Sequence, residues 1–181
     1  MSDAVSSPAE FKAAMGSWPS GVCVAAARDG GLVYGLTVSS LSSLSLDPPL
    51  ISICLAGHNR LTSMIQASNQ FSISILADDQ EDISNSFARP GRVPTSDFEP
   101  IGAAWTRAGL PVIEGAVVQL GCILHAVVAQ GDHFIVIGRV SEAATRGDRR
   151  PLLYFRRRYR ILDQIVESAP VHEFETLMQS F

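Results

Sequence analysis

Short apolar runs separated by turn residues recur along this chain, and that rhythm restricts it to antiparallel β architecture. Residues 21–28 and 32–38 are two such runs, and Asp29-Gly30-Gly31 stands between them. Adjacent glycines between apolar runs predict a tight hairpin, because both central positions of the favoured two-residue turns need positive φ. Residues 50–55 follow Asp47-Pro48-Pro49, and residues 70–76 alternate apolar and small polar side chains with period two. A long β-rich run over 116–129 ends in the turn Gln130-Gly131-Asp132, and 133–140 is its return strand. Residues 151–155 predict one further strand. Strands that return on themselves through short turns point to a closed or nearly closed barrel, since a parallel sheet would need a long crossover helix after each strand.

The helices are few and short. Ser7-Pro8-Ala9-Glu10 carries an N-cap, a first-turn proline and the glutamate of a capping box, with Phe11, Ala14, Met15 and Trp18 on one face. Pro19 and Gly21 end that segment. Residues 60–68 and 79–88 predict two more helices, and the three prolines and one glycine of 89–100 predict a surface loop. One domain is expected over 7–162, followed by a tail over 163–181 with a helical fragment. At 181 residues, dividing the chain would leave each half short of core.

Composition removes several function classes. Fourteen basic residues stand against 18 acidic ones, so a uniformly basic nucleic-acid binder is disfavoured. Lys12 is the sole lysine; the other basic residues are arginines, including the run Arg156-Arg157-Arg158-Tyr159-Arg160, read as solvated or as an anchor for nucleotide phosphate. No apolar run reaches the ~18 residues of a membrane span, and a cytoplasmic, non-membrane protein is expected. Cys23, Cys54 and Cys122 lie apart in apolar runs and read as buried thiols. The sequence lacks GxGxxG, a P-loop lysine, HExxH and GxSxG, so dinucleotide-loop, zinc-peptidase and serine-hydrolase chemistry lose support.

What remains positive lies between Gly35 and Ile65. Thr37, Val38, Ser39 and Ser40 place a hydroxyl cluster at the end of an apolar strand. Such groups bind a phosphate or the polar edge of a heterocycle without a large fixed charge. Asn59 and Arg60 open a helix, and a helix N-terminus with an adjacent arginine attracts anions.

Taken with Phe11-Lys-Ala-Ala-Met-Gly16, Ser45-Leu-Asp-Pro-Pro-Leu50, Phe87-Ala88, Gly131-Asp-His133, Ile137-Gly138 and Leu153-Tyr154-Phe155, these motifs resemble the flavin reductase family, and within it the short reductase components of two-component flavin monooxygenases. The resemblance implies a mainly β, FMN-binding split barrel that forms a homodimer. It also implies hydride transfer from NADH or NADPH to FMN or FAD, and a monooxygenase partner that receives the reduced flavin. Residue by residue, Thr37, Val38, Ser39 and Ser40 match the segment that lines the isoalloxazine. Pro49 and Asn59-Arg60 match the part near the ribityl phosphate, Gln80 a position near the flavin side chain, and His133 the catalytic-site histidine beside the nicotinamide. Relatives commonly read Ser/Asn-Arg-Thr where this chain has Asn59-Arg60-Leu61, with Thr62 one place later, so FMN and FAD both stay open. They also often carry glutamate at the position of Gly121. A protein on the same barrel that holds flavin tightly, as an oxidase or electron-transfer module, is the alternative.

Overall fold

A computed structural model describes residues 6–57, 59–96 and 103–162. The order is α1 (Pro8–Met15), β1 (Ser20–Gly21), β2 (Cys23–Asp29), β3 (Leu32–Val38), β4 (Ser42–Leu46), β5 (Pro49–Ala56), α2 (Arg60–Ser68), β6 (Gln70–Ile75) and α3 (Glu81–Ala88). Then come β7 (Ala103–Trp105), β8 (Pro111–Ile113), β9 (Val118–Gln130), β10 (His133–Thr145), β11 (Leu153–Phe155) and β12 (Arg158–Arg160). Seven strands form one antiparallel sheet in the order β3-β2-β6-β9-β10-β5-β4. No ladder joins its two ends, β3 and β4, so the barrel is split along one seam.

The hairpin at one end of this sheet forms as the turn residues dictate: Gly30 and Gly31 take φ of 54° and 82°, which suit the primed turn joining β2 to β3. β2 is covered on both sides, which is why residues 22–27 read as an unbroken apolar run. Cys23, Ala25 and Ala27 join Ile53, Leu61, Ile65, Phe71, Ile73 and Val136 in one core. Val22, Val24 and Ala26 join Val33, Leu76, Phe87, Ile113 and Leu152 in a second. α2 supplies Leu61, Met64 and Ile65 to the first core, and α3 supplies Phe87 to the second.

Several sequence expectations are corrected here. α1 has the expected capping box, but none of its residues is buried, and Phe11 (59% exposed), Met15 and Trp18 face outward. Cys23 and Cys122 are buried as expected, with burial pushing both thiols up to about 12, whereas Cys54 is exposed. β10 runs on to Thr145, and the β4 strand and the β7–β8 hairpin add to the expected set. Arg158–Arg160 is a strand, so the arginine run spans a hairpin, with Arg156, Arg157, Arg158 and Arg160 exposed in keeping with the solvated reading. The tail and part of the 89–100 loop lie outside the described residues.

One position tests the packing of the barrel. A Cβ built on Gly138 would lie within 3.1 Å of Cys122 Cβ and far inside contact with the fully buried Phe71 ring. Gly138→Ala is expected to cost about 1–3 kcal/mol, because a close-packed core yields only by strain. Denaturant unfolding should show a lower midpoint at unchanged slope.

Candidate functional site

At one end of the seam the chain brings together four elements. The end of β3, the end of β5, the start of β10 and the start of α2 enclose a cavity of about 310 Å³. Thr37, Val38, Ser39, Ser40, Asn59 and His133 all line it, together with Cys54. Residues far apart in sequence therefore meet because β5 lies beside β10 in register, with His133 opposite Ala56.

Two of the three hydroxyls at the end of β3 hold the walls. Ser40 Oγ donates to the Cys54 carbonyl (3.2 Å) and accepts from the Cys54 N–H (2.9 Å), extending the β4–β5 register past Ser42–Ser52 through a side chain. Thr37 Oγ1 donates to the Ser84 carbonyl of α3 at 2.7 Å. Ser84 in turn shares a 2.8 Å hydrogen bond with the Tyr159 hydroxyl. Ser39 is exposed and has no side-chain hydrogen bond among the described residues. The sequence reading gave all three hydroxyls to a ligand; the geometry leaves Ser39 and backbone groups for that task.

The other wall is pinned by backbone. Gly57 N–H donates to the Asp132 carbonyl at 2.8 Å, tying the β9–β10 turn to the chain entering α2. Asn59 caps that helix, its Oδ1 accepting from the Leu61 N–H at 2.8 Å. Arg60 follows, exposed, and the first turn contains no acidic residue. Helix dipole and guanidinium thus add to a positive potential at this end of the cavity. His133 Nδ1 lies 2.7 Å from Asp132 Oδ1, with the His133 side chain about half exposed (49%). The hydrogen bond from His133, aided by the charge a protonated ring carries, holds the Asp132 carboxyl below its ordinary range.

Two sequence candidates lie elsewhere. Gln80 is buried, accepting from the Ala77 N–H (3.0 Å) and donating to the Glu114 carbonyl (2.8 Å), so both ends of its amide hold backbone. Pro49 is the exposed first residue of β5, at the opposite end of that strand from Cys54. Sequence reasoning missed four lining residues: Leu36, Leu55, Ala56 and the polar one, Cys54. Its signal was present: Ile51, Ile53 and Leu55 point into the core, so Ser52 and Cys54 face the other way.

A flavin fits these residues. The cavity offers apolar surface from Leu36, Val38 and Leu55, the unbonded Ser39 hydroxyl and a capped helix start. Among the described residues no cluster of metal-ligating side chains occurs, and no helix is long and apolar enough to cross a membrane.

The chain is a split antiparallel barrel of the class that opens a polar strand end and a capped helix at its mouth. Within that class the assignment is specific: the flavin reductase like domain matches residues 15–163, and the chain belongs to this family. It is 33% identical over 166 residues to an NADH-dependent flavin reductase of a Rhodococcus species, covering 90% of this chain and 91% of that one. It is 38% identical over 152 residues to the reductase component of 4-hydroxyphenylacetate 3-monooxygenase of Thermus thermophilus, covering 84% and 95%. Among solved structures, the Streptomyces globisporus NADH:FAD oxidoreductase in complex with NAD and FAD fragments superposes with a TM-score of 0.80 at 28% identity, over 92% of this chain and 99% of that one. The styrene monooxygenase flavin reductase of Pseudomonas putida gives 0.78 at 30% identity, over 87% and 99%.

Proposed function

We propose that this chain is an NAD(P)H:flavin oxidoreductase that reduces FMN or FAD and hands the reduced flavin to a monooxygenase component. The observation that carries this reading is the convergence of Thr37–Ser40, Asn59 and His133 on one cavity in a chain of the flavin reductase family. Flavin supplies the hydride-accepting chemistry, so the protein needs no acid or base of unusual pKa. Its own contribution is position and exclusion of water. The β3 end forms one wall, fixed against the end of β5 by Ser40. Asn59 caps, and Arg60 charges, the helix start beside the cavity. His133, steadied by Asp132, stands at the mouth, where it orients a nicotinamide by stacking or hydrogen bonding. A cytoplasmic setting, where reduced nicotinamide is produced, fits this reading.

The decisive assay follows NADH oxidation with and without added flavin. Many turnovers only in the presence of free FMN or FAD are expected; a single turnover per bound flavin, unstimulated by more, would favour a tightly held flavin instead. In the same assay His133→Ala is expected to raise KM for NADH and to cost on the order of 1–3 kcal/mol in kcat/KM. Flavin affinity and melting temperature should change little. Unchanged NADH kinetics with a lower melting temperature would assign His133 to the turn alone.

We further propose a homodimer. Leu44 and Leu46 on β4 leave large apolar side chains in water, and pairing two copies would cover them. Light scattering should give twice the 19.4 kDa of one chain, and an active monomer would refute the assembly.

A further inference from the structure

The seam cavity does not end at Ser40. It shares Ser39 and Ser40 with a larger cleft of about 730 Å³, whose walls include Trp18, Tyr154 and Arg157. That cleft shares Gly16 and Arg157 with a third, of about 620 Å³, lined by Lys12, Arg156 and Arg157 among small residues. The three clefts adjoin in series: polar and helix-capped at the His133 end, aromatic in the middle, cationic at the far end. Among the described residues no acidic side chain lines the cationic cleft. Two surface arginines are paired, Arg150 with Asp78 at 2.9 Å and Arg149 with Asp79. Lys12, Arg156 and Arg157 have no carboxylate partner among the described residues.

Two of these cations sit where the backbone resists them. Arg156 and Arg157 are the central residues of the β11–β12 turn, with φ of 51° and 60°. Glycine and asparagine take that left-handed geometry readily; a long side chain takes it at a cost in stability. The turn is nonetheless held in place, with Arg156 N–H donating to the Gly16 carbonyl at 3.0 Å and its guanidinium 5.1 Å from the Phe155 ring centre. Strained residues that carry unpaired charge into a cleft mark a binding role, since the fold alone would be better served by glycine.

We propose that Lys12, Arg156 and Arg157 form a subsite for the phosphates of a dinucleotide whose ring end occupies the His133 cavity. The proposal rests on the flavin reductase reading for the ring end, while the cleft itself is defined by charge and strain. Its ligand chemistry is a nucleotide diphosphate or ribose phosphate, which FAD and the nicotinamide dinucleotides both offer. Trp18 and Tyr154 give the intervening nucleoside apolar surface.

The test uses the full chain and the double variant Arg156→Gly/Arg157→Gly, which removes both charges while relaxing the turn. Calorimetric titration with FMN, FAD, NADH and NADPH gives four dissociation constants without any need for turnover. Loss of two charge-assisted contacts should weaken at least one dinucleotide about tenfold, with FMN changed less than about twofold. Arg156→Lys/Arg157→Lys should recover most of the affinity. Weakening confined to FAD assigns the subsite to the flavin, and weakening of NADH or NADPH assigns it to the hydride donor; either supports the proposal. Four constants within about twofold of the parent, with a raised melting temperature, would overturn it and leave the arginines as turn residues only. If the double variant does not unfold cooperatively, Lys12→Ala on the exposed α1 surface is judged by the same comparison. Flavin-stimulated NADH oxidation by the parent protein judges the enzymatic reading separately, so the two can fail independently.

Discussion

The fold depends on a sheet whose two ends, β3 and β4, do not pair, so the barrel stays open along one seam. Beside that seam Ser40 exchanges two hydrogen bonds with the backbone of Cys54, carrying the β4–β5 register (Ser42 opposite Ser52) two residues further through a side chain. The hydroxyl thereby fixes the chain leaving β3 against the end of β5, at the wall of the cavity. The other stretch of the β3 edge is covered differently: Val33 exchanges backbone hydrogen bonds with Thr95 at 2.7 and 3.0 Å. The opening is therefore confined to the end where Thr37–Ser40, Asn59 and His133 meet.

From that constraint the site follows. Hydride transfer between two flat rings asks for stacking, fixed separation and removal of water, and none of these requires a reactive side chain. Rigidity around the mouth matters more, and the hydrogen bonds are spent there: Thr37 on Ser84, Ser84 on Tyr159, Gly57 on Asp132, Asn59 on Leu61. These link the mouth to both cores, because α2 buries Leu61 and Ile65 in one and α3 buries Phe87 in the other. At Gly121 the space a side chain would fill is taken by Glu142, whose Cβ lies 3.3 Å from where a Gly121 Cβ would be. Glu142 in turn accepts from the N–H groups of Arg107 and Ala108 (2.8 and 2.9 Å), bracing the turn between β7 and β8.

Much of this was legible in the sequence, for identifiable reasons. Asp29-Gly30-Gly31 and the capping box of α1 are local signals, and each formed as its chemistry requires. β2 and β6 read as strands because their alternation or apolar run is long enough to outweigh other patterns. The β4 strand, which is mostly serine and leucine, and the three-residue β7, β8, β11 and β12 elements are specified by tertiary pairing, so no local pattern marks all of them. The apolar face of α1 was read correctly as a pattern, but burial needs a partner surface that a single chain does not provide. Among candidate site residues, the cluster at 37–40, Asn59 and His133 came together, since strand ends and helix starts locate themselves. Gln80 did not join them: sequence gives its position after β6, but not that Ala77 and Glu114 would claim its amide. The exposure of Cys54 was encoded in the alternation of β5 and was overridden by the usual burial of cysteine.

Cys54 gives the most direct test that flavin binds at the seam. It lines the cavity and is the exposed thiol, while Cys23 and Cys122 are buried with thiols pushed up to about 12 and so resist alkylation. The measurement is the rate of Cys54 alkylation, site-resolved by mass spectrometry, as FMN or FAD is raised to saturation. A flavin seated between β3 and β5 predicts that the rate falls in step with occupancy while Cys23 and Cys122 stay unmodified throughout. An alkylation rate at Cys54 that is unchanged at saturating flavin would contradict the account and place the flavin elsewhere on the protein.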